Sequence, residues 1–168
     1  MSNLLTRENL FHLVKELIWL CITAMVIYAI LYPITTTLDF IYWWKINAFF
    51  IFLTITYFRY SVTFKSLPFL RPSWVRFSLF TFNLSLFIFC WHYEQVFVSV
   101  ADNFNTLDFG FPKVIMYDQV KIDFFKYLYK EFAFFGAGSL VTISAFQMRL
   151  IISYWQYYSH KSNTLLES

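Results

Sequence analysis

His92 and Glu94, flanked by Trp91 and Tyr93, are the residues whose types could do acid–base work. A histidine and a carboxylate can exchange a proton when their side chains converge. Two positions apart on a helix they project roughly 200° from one another. A proton relay, or an enzyme acting on lipid within a membrane, therefore needs a second helix to unite them. Solvation at the edge of an apolar stretch is the plainer role. The chain has no Walker A, GxSxG, HExxH, CxxC or GxGxxG pattern and sets no nucleophile beside a base, so it is not expected to be an enzyme. His12, His92 and His160 are too scattered to form one zinc site. Asp102, Asp108, Asp118 and Asp123 are interleaved with lysines at spacings that fit no EF-hand loop. No cofactor or metal is expected, and neither nucleic acid nor a small-molecule substrate is indicated.

The uncharged polar residues offer a different chemistry. Asn83 with Ser85 is the deepest polar pair, Thr54 and Thr56 lie in another apolar stretch, and Gln147 in a further one. Hydrogen bonding between helices accounts for such residues in an apolar setting. A pore would require several copies of the chain to turn Asn83, Thr54, Thr56, Thr142 and Gln147 toward one water-filled path.

The elements that carry these residues are four apolar stretches in 168 residues, at about 17–38, 40–58, 77–100 and 132–148. The first holds 22 residues without a charge, more than the ~20 that cross ~30 Å of hydrocarbon as a helix. Composition agrees: 59% of residues are hydrophobic and 14% charged, against ~45–50% and ~25% in soluble domains. The expected fold class is all-α: one polytopic membrane domain over 1–168, four transmembrane helices in an antiparallel up-and-down arrangement. An amphipathic segment precedes the first helix, with Ser2 or Thr6 as its cap. Pro33 is expected to end or kink helix one near its outer end. The second stretch is the least regular, because its uncharged run from Ile46 to Phe58 has only 13 residues and needs Lys45 to snorkel. A basic loop over 59–76 follows it. An outer segment over 101–131 contains a turn-rich part and then a helical extension from about Asp118 into helix four.

Charge asymmetry orients the chain. With both termini and the 59–76 loop on one side, that side holds Arg7, Lys15, Arg59, Lys65, Arg71, Arg76, Arg149 and Lys161. The other side holds Lys45, Lys113, Lys121, Lys126 and Lys130, a count of 8 against 5. The positive-inside rule then makes both termini cytoplasmic. Arg59, Lys65, Arg71 and Arg76 are positioned to meet anionic lipid headgroups at ~1 kcal/mol each, although topology alone explains them as well. Trp and Tyr cluster near the ends of the stretches, as amphipathic rings do at headgroup depth. Cys21 and Cys90 fall toward opposite faces and are expected to stay unpaired thiols.

Two of the three glycines stand together in helix four. Ala133, Gly136, Ala137, Gly138, Thr142 and Ala145 give that helix a run of small residues, which allow close backbone approach in lipid. A tight contact is expected there, within the chain or with a partner.

The segments Phe58-Arg59-Tyr60, Phe134-Phe135-Gly136-Ala137-Gly138-Ser139 and Arg149-Leu150-Ile151-Ile152-Ser153-Tyr154-Trp155 resemble those of uncharacterised four-span inner-membrane proteins of Bacteroidota. That resemblance implies location and architecture and carries no functional residue. Together these features predict a small non-catalytic integral-membrane subunit of a larger inner-membrane complex, with membrane lipid and other integral-membrane proteins as partners. The alternative is a homo-oligomeric small transporter or channel.

Overall fold

A computed structural model of the chain describes residues 7–37, 43–64, 73–102 and 118–166. Ser2, Thr6, Lys65, Arg71 and the 103–117 part of the outer segment lie outside the described residues. The described chain is all-helical: α1 Arg7–Thr37, α2 Trp43–Val62, α3 Ser73–Asp102 and α4 Asp118–Leu166. Among the described residues, three helices are long and apolar enough to cross a membrane, over Leu10–Thr35, Trp74–Ser99 and Lys126–Gln156. The protein is therefore a multi-pass membrane protein.

The helices run past the apolar stretches that nucleate them. In α1 the amphipathic lead-in and the first apolar stretch are continuous, since nothing between Arg7 and Pro33 breaks a helix. Pro33 does not end it; the helix continues to Thr37. A proline removes one intrahelical donor, here the one owed to the Ala29 carbonyl. The carbonyl of the next residue, Ile30, accepts a hydrogen bond from the Tyr127 hydroxyl of α4 at 3.2 Å. In α4 the helical extension from Asp118, the fourth apolar stretch and the tail form one helix of 49 residues. At ~1.5 Å per residue it is about 74 Å long, more than twice the ~30 Å of hydrocarbon.

α2 is the most enclosed helix. Its 20 residues include Lys45, Asn47, Thr54, Thr56, Tyr57 and Arg59, which make it the least suited to face lipid. Yet Phe50, Ile51 and Leu53 are buried. A helix surrounded by protein can carry polar groups, because its neighbours supply their partners. Phe50 meets Phe132 of α4 edge-on at 5.1 Å, and Phe132 stacks on Phe97 of α3 at 3.8 Å. One aromatic column thus ties three helices, each ring pair contributing ~0.5–1.5 kcal/mol beyond area burial. A second tier sets Tyr57 against Phe146 at 5.4 Å and Phe64 against the same ring at 5.7 Å.

Between these tiers α2 and α4 approach closely. The Thr54 hydroxyl donates to the carbonyls of Phe50 at 2.8 Å and Phe135 at 3.2 Å. A methyl group added to Gly138 would lie 3.2 Å from Thr54 Cγ2 and 3.3 Å from its Oγ1, whereas one added to Gly136 would make ordinary contacts at 3.5–3.6 Å. Gly136→Ala is therefore expected to be neutral or stabilising by up to ~1 kcal/mol through helix propensity. Gly138→Ala should destabilise by about 1–2 kcal/mol, since Thr54 cannot retreat without losing carbonyl partners. Thermal unfolding in detergent measures both; equal melting temperatures would refute this packing.

Candidate functional site

The chemistry-bearing residues sort into four groups in space. Asn83 is fully buried, and its Oδ1 accepts from the Tyr57 hydroxyl at 2.6 Å. Its Nδ2 has no partner among the described residues. Gln147 donates through Nε2 to the Phe80 carbonyl at 3.2 Å, joining α4 to α3. Ser85 turns outward instead and donates to the Thr81 carbonyl of its own helix. Thr142 is buried and bonds to the carbonyls of Gly138 and Ser139. Thr56 lines a groove of about 220 Å³ between α1 and α2. Thr54, Asn83 and Thr142 are thus engaged by helix carbonyls or by Tyr57, inside a packed interior.

The small residues of α4 divide between two faces. Gly136 backs onto Phe50 and the Glu94 Cγ, and Gly138 onto Thr54. Thr142 is buried with them and Ala133 is half-buried, while Ala137 and Ala145 point away from the rest of the chain. This geometry follows from the 3.6-residue period: positions 137, 141 and 145 share the face opposite to 139 and 142.

The basic residues are built into the helix ends. Arg59 pairs with Glu16 of α1, whose Oε2 also accepts from the Tyr60 hydroxyl at 3.1 Å. The same guanidinium lies 4.6 Å from the Tyr60 ring centroid and 5.6 Å from that of Trp19. Arg76 donates to the Ser153 carbonyl at 3.2 Å. It stands beside an apolar groove of about 470 Å³ lined by Phe77, Phe80, Leu150, Tyr154 and Trp155. His92 is exposed, with its ring 5.5 Å from that of Tyr93. Glu94 instead packs toward Gly136, so this helix separates the two.

Two features escaped sequence reasoning. The first is a polar stripe on α3: Ser78, Thr81, Ser85, His92 and Gln95 are all exposed. Their spacing of three, four, seven and three residues sets them on one helical face, with Ile88 filling the gap. The spacing was readable in the sequence; that no other described helix covers it was not. The second is Glu131 with Asn47, both buried, with no hydrogen-bond partner among the described residues for any of their side-chain polar atoms. Glu131 precedes the fourth apolar stretch and is flanked by Lys126 and Lys130, which disguises it as a surface acid. Among the described residues, no three His, Cys, Asp or Glu side chains converge as a metal-binding group would.

Compared with known proteins, the chain matches no family profile, no curated protein and no solved structure.

The Tyr57–Asn83 bond gives a direct test of how the interior is held. Tyr57→Phe should destabilise by about 1–3 kcal/mol, because it strands the Asn83 carbonyl oxygen away from water. Adding Asn83→Leu to that variant should recover much of the loss, since both polar partners are then gone. A double-mutant cycle on thermal unfolding reads the coupling, and strictly additive losses would show that the bond contributes nothing.

Proposed function

We propose that the chain is a small, non-catalytic subunit that packs through its helices into a larger protein assembly of the cell inner membrane. The observation that carries this reading is the uncovered polar stripe of α3. Ser78, Thr81, Ser85, His92 and Gln95 lie within the apolar Trp74–Ser99 segment and face away from every described helix of the chain. The Thr81 and Ser85 hydroxyls donate to carbonyls of their own helix, but hydrocarbon offers His92 and Gln95 no partners, whereas such side chains hydrogen-bond well across helix–helix interfaces in membranes. A second membrane helix laid along the stripe would give His92 and Gln95 partners and could donate to the Thr81 and Ser85 hydroxyl oxygens. The outward Ala137 and Ala145 of α4 offer a further face where a backbone could approach closely.

In this reading α2 also crosses the bilayer, giving four spans in up-and-down order. Its contacts support that order: Phe50 pairs with Phe132 and Tyr57 with Phe146, while Phe97 pairs with Phe132 and Arg76 with Ser153. Residue numbers rise together along α2 and α4 and oppose one another along α3 and α4. The count of 8 basic residues against 5 supports cytoplasmic termini. The resemblance to four-span inner-membrane proteins of Bacteroidota favours the same location. Arg59 and Arg76 sit at helix ends where anionic headgroups would meet them.

A homo-oligomeric transporter or channel is the second reading, favoured by the same stripe if copies of this chain cover it and enclose water. One experiment addresses both. A photo-crosslinking amino acid is placed at Ser85 and Gln95, with Met25 on the open face of α1 as control. The expected outcome is crosslinking at both α3 sites to a different membrane protein, identified by mass spectrometry. Adducts of chain to chain would support the homo-oligomer. Adducts to lipid alone at all three positions would refute the subunit reading.

A further inference from the structure

Glu131 and Asn47 set a chemical problem that the described protein leaves unsolved. Asn47 lies one turn into α2 with no exposed surface, and Glu131 on α4 is 8% exposed. Their side chains face one another across the α2–α4 contact. Yet neither carboxylate oxygen, nor the amide oxygen or nitrogen, has a partner at hydrogen-bonding geometry among the described residues. By contrast, the buried hydroxyls of Ser139, Thr142 and Thr23 turn back on the carbonyls of Gly136, Gly138 and Trp19. The Phe50–Phe132 contact belongs to residues three after Asn47 and one after Glu131.

A carboxylate enclosed in this way requires a compensating positive charge, and ionisable groups inside membrane spans mark ion or proton sites. No described lysine or arginine supplies it. Lys130, next in sequence, is exposed, and Lys126 is exposed beside Asp123 at 3.9 Å. On α2, Lys45 is exposed with its ammonium 6.0 Å from the Trp44 ring centroid. On α3 the acid Glu94 packs against Gly136, five residues further along α4. On α4 itself, Tyr127 is close enough to interact electrostatically with Glu131, and its hydroxyl is committed to the Ile30 carbonyl of α1. Among the described residues, therefore, no cation is placed against Glu131.

We propose that Glu131 and Asn47 form an intramembrane binding site for one monovalent cation, a sodium ion or a proton. One positive charge neutralises one carboxylate, whereas a divalent ion would leave the site charged. Two carboxylate oxygens and an amide oxygen are the hard donors that a small alkali cation selects. A proton would turn the carboxyl into a donor to Asn47 Oδ1. Binding at this position joins α2 to α4 one turn from the aromatic column, so occupancy stabilises the bundle. The site is independent of the docking stripe on α3: a failed crosslink leaves it standing, and its own failure leaves the stripe intact.

The test follows thermal unfolding of the full chain in mild detergent by tryptophan fluorescence. Sodium chloride is compared with choline chloride at equal ionic strength, at acidic and at alkaline pH. A melting temperature raised by sodium at alkaline pH assigns the metal ion. One raised by acid in choline assigns the proton. In either case Glu131→Gln should abolish the shift, and Glu94→Gln should keep it. A wild-type melting temperature indifferent to both sodium and acid overturns the proposal, whatever the variants do. So does a shift that survives in Glu131→Gln, because the cation then binds elsewhere.

Discussion

Where α2 and α4 meet, the Thr54 hydroxyl lies within hydrogen-bonding distance of carbonyls on both helices, those of Phe50 and Phe135. That bridge requires the two backbones to be close, and they are close because Gly138 presents no side chain to Thr54. In hydrocarbon there is no water to drive helices together, so association rests on van der Waals contact and on hydrogen bonds that lipid cannot make. The Gly138–Thr54 approach supplies both at one point. The aromatic column of Phe50, Phe132 and Phe97 lies on one side of it, and Tyr57 against Phe146 on the other. A wider α2–α4 spacing would loosen both tiers together.

This enclosure explains how α2 carries polar residues along a largely buried helix. Asn47, Thr54, Tyr57 and Arg59 would each be costly against lipid. Three of them find partners on neighbouring helices: Phe135, Asn83 and Glu16. The mutual arrangement is conditional, since α2 tolerates its polar residues only while α1, α3 and α4 surround it. The outer helices face the opposite demand and are apolar over most of their exposed perimeter. Leu13, Leu17 and Leu20 of α1 and Phe77, Phe82 and Ile88 of α3 are examples.

The same asymmetry decides what was legible in the sequence. The stretches at 17–38, 77–100 and 132–148 announce themselves because helices that face lipid must be largely apolar, and all three lie within long helices. The 40–58 stretch is ambiguous because a protein-covered helix is under no such demand. Gly136 and Gly138 signal close approach, but only the fold shows that Thr54 and Phe50 are what approaches. Ala137 and Ala145, in the same run, look outward because a stretch of small residues wraps around the helix every 3.6 positions. Glu131 was unreadable for a different reason. Its charge and its lysine neighbours are those of a solvated helix end, and its burial exists only because α2 lies against that turn of α4. The separation of His92 from Glu94, by contrast, follows from their two-residue offset alone.

The attachment of α1 shows how few contacts set register when most of a helix faces outward. Near one end, Glu16 pairs with Arg59 and accepts from Tyr60, while Trp19 lies under the guanidinium. Near the other, the Ile30 carbonyl accepts from Tyr127, and Leu31 and Ile34 are buried. These anchors are about 21 Å apart at ~1.5 Å per residue, and each engages a different helix. An ion pair partly screened from water is worth more than an exposed one, and a cation over aromatic rings adds ~0.5–2 kcal/mol as it is desolvated. Two directional anchors at separate heights fix both the height and the rotation of α1, which apolar contact alone, being non-directional, would leave free to slide. The outward side of α1 is thereby held in a constant orientation without being packed.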